Sequence, residues 1–406
     1  MTMTEPVRYD PYDHAIALDP HPTWRRLRDE APLYRNDEHD FWALSRFEDV
    51  VAASADWHTY SSARGTVLEM MDTRSIDIDG DEGYGQDILI FMDPPGHDVL
   101  RRLVSRAFTP RRVASLEDRI RELCARFLDE LRDAETFDFV EDFGAKIPSM
   151  VIGELLGVPR ADQDQLRIWG DAMMRYEPDG ISQDKLDAIT SHQAYVRDLI
   201  AQRTAAPADD MASDLVRAEI ELDDGTTRRL TDSEVFNFVG LLELAGSETT
   251  ARLLGWAAVL LARHPDQRAL LVDDPGRIPN AVEELLRYEA PSPIQARFVT
   301  ADVVWHGETV PAGSRLALLT GSAGRDERAF PDADRFDVTR HFDRHVSFGH
   351  GVHYCLGANL ARLEARIALE EALARVPDFT VDPDEVVMVR TTTVRGPAHV
   401  PVVPQR

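Results

Sequence analysis

The 406-residue sequence predicts a mainly α-helical protein with a minor β portion, built around one long central helix. Three observations lead there. From about residue 97 to 270 apolar residues recur at spacings of three and four, the period of an amphipathic helix. Segments that alternate like strands are confined to two clusters, Ala31–Leu44 and Gln295–Leu319. One apolar run, from Thr231 to His264, continues without proline for about 33 residues, roughly 50 Å at about 1.5 Å per residue. No Gly/Ser linker or internal repeat divides the chain. Residues 1–406 are therefore expected to form a single domain, although about 150 residues per domain would allow two or three.

Each element has a local reason. In VASLEDRIRELCARFLDELRD, Leu116, Ile120, Leu123, Phe127 and Leu131 form one apolar stripe. TAAPADD at 204–210 and ELDDGTT at 221–227 read as surface loops between helices. Thr231-Asp-Ser-Glu234 is a capping box that starts the long helix. That helix is apolar nearly all round, so it should cross the centre of the molecule. In its middle stands Ala245-Gly-Ser-Glu-Thr-Thr250. A glycine, an acid and hydroxyls inside a buried helix are costly unless they have a role, the alternative being a helix end or solvated kink. The strands of Gln295–Leu319 are separated by HGET and PAG turns.

Composition narrows the function. Lys+Arg number 45 against 72 Asp+Glu, and a net charge of −27 excludes a general nucleic-acid binder, which needs a basic excess. Two cysteines exclude a disulfide framework and fit a reducing compartment. The first residues lack a basic-then-apolar signal pattern, and Glu243, Glu248 and Arg252 interrupt the best candidate membrane span; a cytoplasmic location is expected.

The sharpest segment is Phe348-Gly349-His350-Gly351-Val352-His353-Tyr354-Cys355-Leu356-Gly357, just ahead of the helical ANLARLEARIALEEALARV. A cysteine at a helix N-terminus faces unpaired N–H groups and the positive end of the dipole, which favour thiolate. Glycines on the approach let backbone pass close to something bulky and flat. An axial haem ligand needs such a thiolate, which pushes electron density onto the iron. The residues leave three alternatives open: zinc held by His350, His353 and Cys355, a disulfide to Cys124, or an ordinary buried cysteine.

FGHGVHYCLG matches, at every specified position, the Phe-Gly-x-Gly-x-x-x-Cys-x-Gly haem-binding signature of the cytochrome P-450 family. AGSETT at 245–250 resembles that family's oxygen-activating motif, Glu284-Leu-Leu-Arg287 its Glu-x-x-Arg pair, and Arg335 in ADRF the third member of that network. DPPGHDVLRRLVSRAFTP at 93–110 is similar to the segment with which bacterial members hold the haem propionates. The matches stand in the family's order from about residue 90 to 366. The sequence departs at Glu248, where many members have Asp, and at Gly324, where many bacterial relatives have Asn.

The resemblance implies a soluble haem-thiolate monooxygenase with haem b as cofactor. Cys355 would be the proximal thiolate and metal ligand, and His97, Arg101, Arg297 and His353 the propionate contacts. His97 and Arg101, four apart, share a helical face; Arg297 could instead be a solvated edge charge. Glu284, Arg287 and Arg335 would fix the loop before Cys355. Thr249 and Glu248 would serve as catalytic hydroxyl and proton relay. An intact relay argues against the alternative of a hydrogen-peroxide-driven peroxygenase; a non-catalytic haem-binding sensor would need no electron donor. Leu241, Leu244 and Ala245 share the face of Glu248 and Thr249, and with Ile294, Val394 and part of 64–91 form the candidate substrate lining. The lining is apolar, so a hydrophobic substrate such as a terpenoid, steroid, fatty acyl chain or polyketide is expected. Arg101, Arg102, Arg106, Arg111 and Arg112 against Asp98, and Arg340, Arg344, Arg362 and Arg366 against Asp343 and Glu364, are positive stretches in an acidic chain. They point to an acidic ferredoxin as electron donor.

Overall fold

A computed structural model describes residues 5–73, 88–105, 108–177, 180–221 and 225–405. The architecture is the mainly α arrangement with a minor β portion that the sequence predicts. The helices that build the site are α1 (Gly96–Ser105), α2 (Glu117–Glu130), α3 (Lys146–Leu156), α4 (Arg160–Met174), α5 (Gln183–Ala205), α6 (Asp232–Arg263), α7 (Ile278–Tyr288) and α8 (Ala358–Arg375). Helix α6 packs against α3, α4, α5 and α8, which is why its sequence is apolar on almost every side.

The start of α6 is fixed by both halves of the capping box. The Thr231 hydroxyl accepts from Glu234 N at 3.1 Å, and the Glu234 carboxylate accepts from Thr231 N at 2.7 Å. The helix runs unbroken through 245–250. Ser247 and Thr249 turn their hydroxyls back to the carbonyls of Glu243 (2.9 Å) and Ala245 (3.1 Å), so neither is left unsatisfied. Gly246 is there for α3: a Cβ on it would stand 3.1 Å from Ile152 Cγ1.

Strands from both clusters meet, with a short strand at Tyr60–Ser61, in one five-stranded sheet, while Val303–Trp305 and Glu308–Val310 pair as a separate hairpin. Strands β1 (Leu33–Asn36), β2 (Phe41–Leu44), β3 (Tyr60–Ser61), β4 (Gln295–Val299) and β5 (Arg315–Leu318) lie in the order β1-β2-β5-β4-β3. Strand β5 runs parallel to β2, pairing Leu316 with Trp42, and antiparallel to β4, pairing Leu316 with Arg297. Alternation shows that these segments are strands; their pairing across some 250 residues depends on loop geometry that periodicity does not carry. Among the described residues no helix is long and apolar enough to cross a membrane.

Candidate active site

The loop ahead of α8 presents Cys355. Its N–H donates to the Phe348 carbonyl at 2.9 Å, closing a tight hairpin of backbone. Gly351 has φ +74°, and a Cβ there would lie 2.5 Å from the Ser54 carbonyl oxygen. This glycine therefore serves the packing of the loop against its neighbour rather than the approach of a ligand. The shaved surface lies at Gly357, where a Cβ would meet nothing within 4 Å. Burial pushes the Cys355 thiol up; the Gly357 N–H, Arg101 and Arg362 act in the opposite direction without overcoming it. The helix-terminal N–H expected from the sequence is present, but a thiolate at this depth also needs a cation against the sulfur.

Cys355 opens into a cavity of about 340 Å³ beneath α6. Leu241, Ala245, Thr249 and Ile294 line it, together with Thr66, Val67, Leu89 and Ile90 from the 64–91 segment; residues 74–87 lie outside the described residues. Phe238 and Phe108 extend the apolar wall. Leu244 is not part of it. Its side chain points to α4, where Gly170 leaves room for it (a Cβ there would stand 3.2 Å from Leu244 Cδ2). Val394 lies in the neighbouring cleft against the N-terminal segment, and Thr393 takes its place in the wall.

Polar groups gather at the Cys355 side. Arg297 is 4% exposed, so it is not a solvated edge charge; its hydrogen bonds go to the Ala296 carbonyl (2.8 Å) and the Gln295 amide oxygen (3.4 Å). Burial lowers it to about 10. Arg101 donates to the Tyr354 carbonyl and is likewise lowered by burial. Neither bonds a carboxylate. His97 and His353 pack edge to face with centroids 4.6 Å apart, and the Nε2 of each is buried without a partner. Burial, then Arg297, lowers His353 to about 3, so the ring is neutral. One buried and one half-buried cation and two orphaned ring nitrogens beside a cysteine fit the carboxylate edge of a haem.

The cavity wall also carries hydroxyls and one carboxyl. Thr249 and Thr250 both line the cavity, as does Glu364, nearly two turns into α8. Glu364 is 1% exposed, hydrogen-bonds Thr250, and is pushed up to about 8 by burial. Glu364 sits nine residues after Cys355, a spacing that placed it on a buried face; sequence reading counted it as a surface charge. Glu248 does not line this cavity. One residue is about 100° of helix, so the neighbour of Thr249 faces elsewhere, and Glu248 instead pairs with Arg252 at 3.0 Å. Arg252, four residues on, was legible as its (i, i+4) partner.

Behind the cysteine loop, Arg287 grips Glu284 through two bonds of 2.7 and 2.8 Å, both side chains fully buried, and donates to the carbonyls of Gly324 (2.7 Å) and Ala333 (2.9 Å). Arg335 offers this network only its carbonyl, at 3.5 Å, because its own side chain is 66% exposed. The third side chain is Arg340, which reaches Glu284 at 3.3 Å and the Pro331, Asp332 and Arg335 carbonyls. Gly324 has no room for the asparagine of many relatives: a Cβ would stand 2.3 Å from the Arg287 carbonyl oxygen. The zinc and disulfide alternatives find no support: His350, His353 and Cys355 do not converge as a ligand group among the described residues, and both cysteines are free, with Cys124 buried in α2.

The comparisons with known proteins agree with this geometry. A family model described as cytochrome P-450 matches residues 278–398. The chain is 43% identical to the putative cytochrome P-450 123 of Mycobacterium tuberculosis over 97% of its own length and 96% of the relative's. It is 38% identical to the vitamin D(3) 25-hydroxylase of Pseudonocardia autotrophica, covering 99% and 98%. Among solved structures, it matches the bacillaene polyketide synthase cytochrome P-450 PksS of Bacillus subtilis 168 with a TM-score of 0.87 at 31% identity, covering 98% of this chain and 100% of that one. The chain belongs to the cytochrome P-450 family. It is a monooxygenase whose cofactor is haem b.

Proposed function

We propose that the protein hydroxylates or epoxidises a hydrophobic small molecule, with Cys355 as the haem ligand and an acidic ferredoxin as electron donor. One observation carries this reading: Cys355 opens into a largely apolar cavity lined also by Arg101 and Arg297, neither of them held by a carboxylate, and by Thr249. Haem b supplies the redox centre at which dioxygen and two electrons yield one oxygen atom for the substrate and one for water. The chain's residues do the rest. Arg101, Arg297, His97 and His353 hold and orient the propionates. Thr249 offers a hydroxyl proton inside the cavity, once it leaves the Ala245 carbonyl. Glu284, Arg287 and Arg340 keep the cysteine loop in register.

The substrate wall of Phe108, Ile152, Phe238, Leu241, Leu242 and Ile294 has no charged group on it, which supports a neutral, bulky apolar substrate. A relative that hydroxylates vitamin D(3) and a neighbour from a polyketide synthase system support a steroid- or polyketide-like compound among the classes expected. For the donor, Arg102 and Arg111 are exposed without an ion-pair partner among the described residues; Arg106 lies outside them. Arg340, Arg362 and Arg366 are taken up by Glu284, Glu283 and Glu117, so the positive face is narrower than charge counting suggests. Arg344 stands 3.5 Å from Glu48 at the surface.

The test is a panel of apolar compounds screened by haem spectral shift, followed by turnover of the best ligand with ferredoxin and reductase, in the wild type and Thr249→Ala. The variant should bind haem and substrate but divert reductant to hydrogen peroxide. Undiminished coupling would remove Thr249 from its role.

A further inference from the structure

Glu248 faces away from the Cys355 cavity into a second, polar cavity of about 640 Å³, lined also by Asp171 of α4 and by Arg252. Arg252 holds Glu248 through Nε at 3.0 Å and Nη2 at 3.1 Å and anchors its remaining Nη1 on the Pro397 carbonyl at 2.6 Å. The same guanidinium stands 3.8 Å from Asp171. Asp171 is itself within hydrogen-bonding reach of Glu248, and about a third of its side chain (32%) is open to the cavity.

The charges facing Asp171 can be followed element by element. On α4, Arg167 binds it at 3.0 Å and also reaches Glu141, from the preceding 139–144 segment, at 3.1 Å. On α6 there are Glu248 and Arg252. Three acids therefore share two arginines, leaving one negative charge in excess, which a single proton cancels. At the cavity rim, Glu177 is occupied by Ser182 N and Oγ (2.7 and 2.8 Å) and His399 by Asp138 (2.9 Å). Arg390 lies over the Tyr176 ring, and Arg175 also borders the opening.

We propose that Asp171 is a positioning residue for proton supply: it draws protons from water in the polar cavity, passes them to Glu248, and takes over Arg252 as Glu248 becomes neutral. The inference rests on the monooxygenase reading above and names the residue that feeds its Glu248. In the exchange the Asp171 O–H bond breaks and an O–H bond forms on the Glu248 carboxylate. Arg252, already 3.8 Å from Asp171, moves to the new carboxylate. Neutral Glu248 is then no longer tethered and can turn past Thr249; water reprotonates Asp171, and no electrons move. Burial, then the Glu248 charge, pushes Asp171 up to about 7, so the proton is both present and transferable near neutral pH. Transfer needs the protonated form, so it fails as pH rises through that value.

The test uses the holoenzyme of wild type, Asp171→Asn and Asp171→Glu. Infrared pH titration should show protonated-carboxyl absorption from both Asp171 and Glu364 in the wild type. In Asp171→Asn the component that titrates at about 7 should be lost and that of Glu364, at about 8, should remain, while Asp171→Asn/Glu364→Gln should lose both. Product formation should fall about tenfold in Asp171→Asn, with loss of the decline near neutral pH, and Asp171→Glu should restore both. The haem–carbon monoxide spectrum should be unchanged throughout; its absence from the wild type would reject the haem-thiolate reading itself. With that spectrum intact, a carboxyl band titrating at about 7 that persists in Asp171→Asn/Glu364→Gln, or a turnover pH profile in Asp171→Asn like the wild type's, would overturn the role of Asp171.

Discussion

Replacing Glu364 by glutamine should flatten the dependence of stability on alkaline pH. Glu364 is buried at the cavity wall with Thr250 as its hydrogen-bond partner, and its carboxyl is raised from 4.5 to about 8. Glutamine keeps the shape and can donate to the threonine, but has no proton to lose. The sign follows from proton counts. Between pH 4.5 and about 8 the unfolded chain has released this proton and the folded chain has kept it. The contribution of the neutral carboxyl is therefore complete below the lower value and is lost progressively until pH passes the upper one. At about 1.36 kcal/mol per pH unit the ceiling is about 5 kcal/mol. Water entering through the cavity reduces this, and ~2 kcal/mol is expected, a large share of a typical 5–15 kcal/mol. The assay is denaturant unfolding of both holoproteins at about pH 5 and about pH 9. The wild type should lose ~2 kcal/mol relative to Glu364→Gln over that interval. A wild-type–variant difference that does not change with pH would refute a neutral buried carboxyl.

Gly351→Ala should disrupt the cysteine loop, since its φ of +74° and a Cβ 2.5 Å from the Ser54 oxygen leave no place for a side chain; haem content after purification should fall severalfold. Ferredoxin-driven turnover should weaken as salt shortens the Debye length from about 10 Å at about 0.1 M toward about 3 Å at about 1 M. Arg102→Glu should lower that rate without changing the haem spectrum, and indifference to both salt and charge reversal would remove this face from donor docking.

Much of this protein is written locally. The capping box at Thr231 and Glu234, the proline-free run to His264 and the glycine–cysteine segment are short-range patterns, and they marked the long helix, its ends and the loop of Cys355. Side-chain direction is less legible. Leu244 and Ala245 are neighbours, yet only Ala245 reaches the cavity, because the bulk of Leu244 is received by Gly170 on another helix. Glu248 and Thr249 were placed together by motif, but successive helical residues diverge, and what draws Glu248 to the far side is the Arg252–Asp171 pair. Arg335 and Arg340 are both arginines in one loop, and only the folded path of residues 331–340 decides which guanidinium returns to Glu284. Charge counting likewise assigned Glu364 and three arginines to the surface without seeing burial or internal pairing.

The most direct measurement is the absorption spectrum of reduced protein under carbon monoxide, in wild type, Cys355→Ala and Cys124→Ala. Wild type should show the red-shifted Soret band of a thiolate-ligated haem. Cys124→Ala should keep it, since Cys124 is buried in α2 with its thiol pushed up by burial. Cys355→Ala should lose it. A red-shifted band that survives in Cys355→Ala would contradict the assignment of Cys355 as the haem ligand, on which the whole account rests.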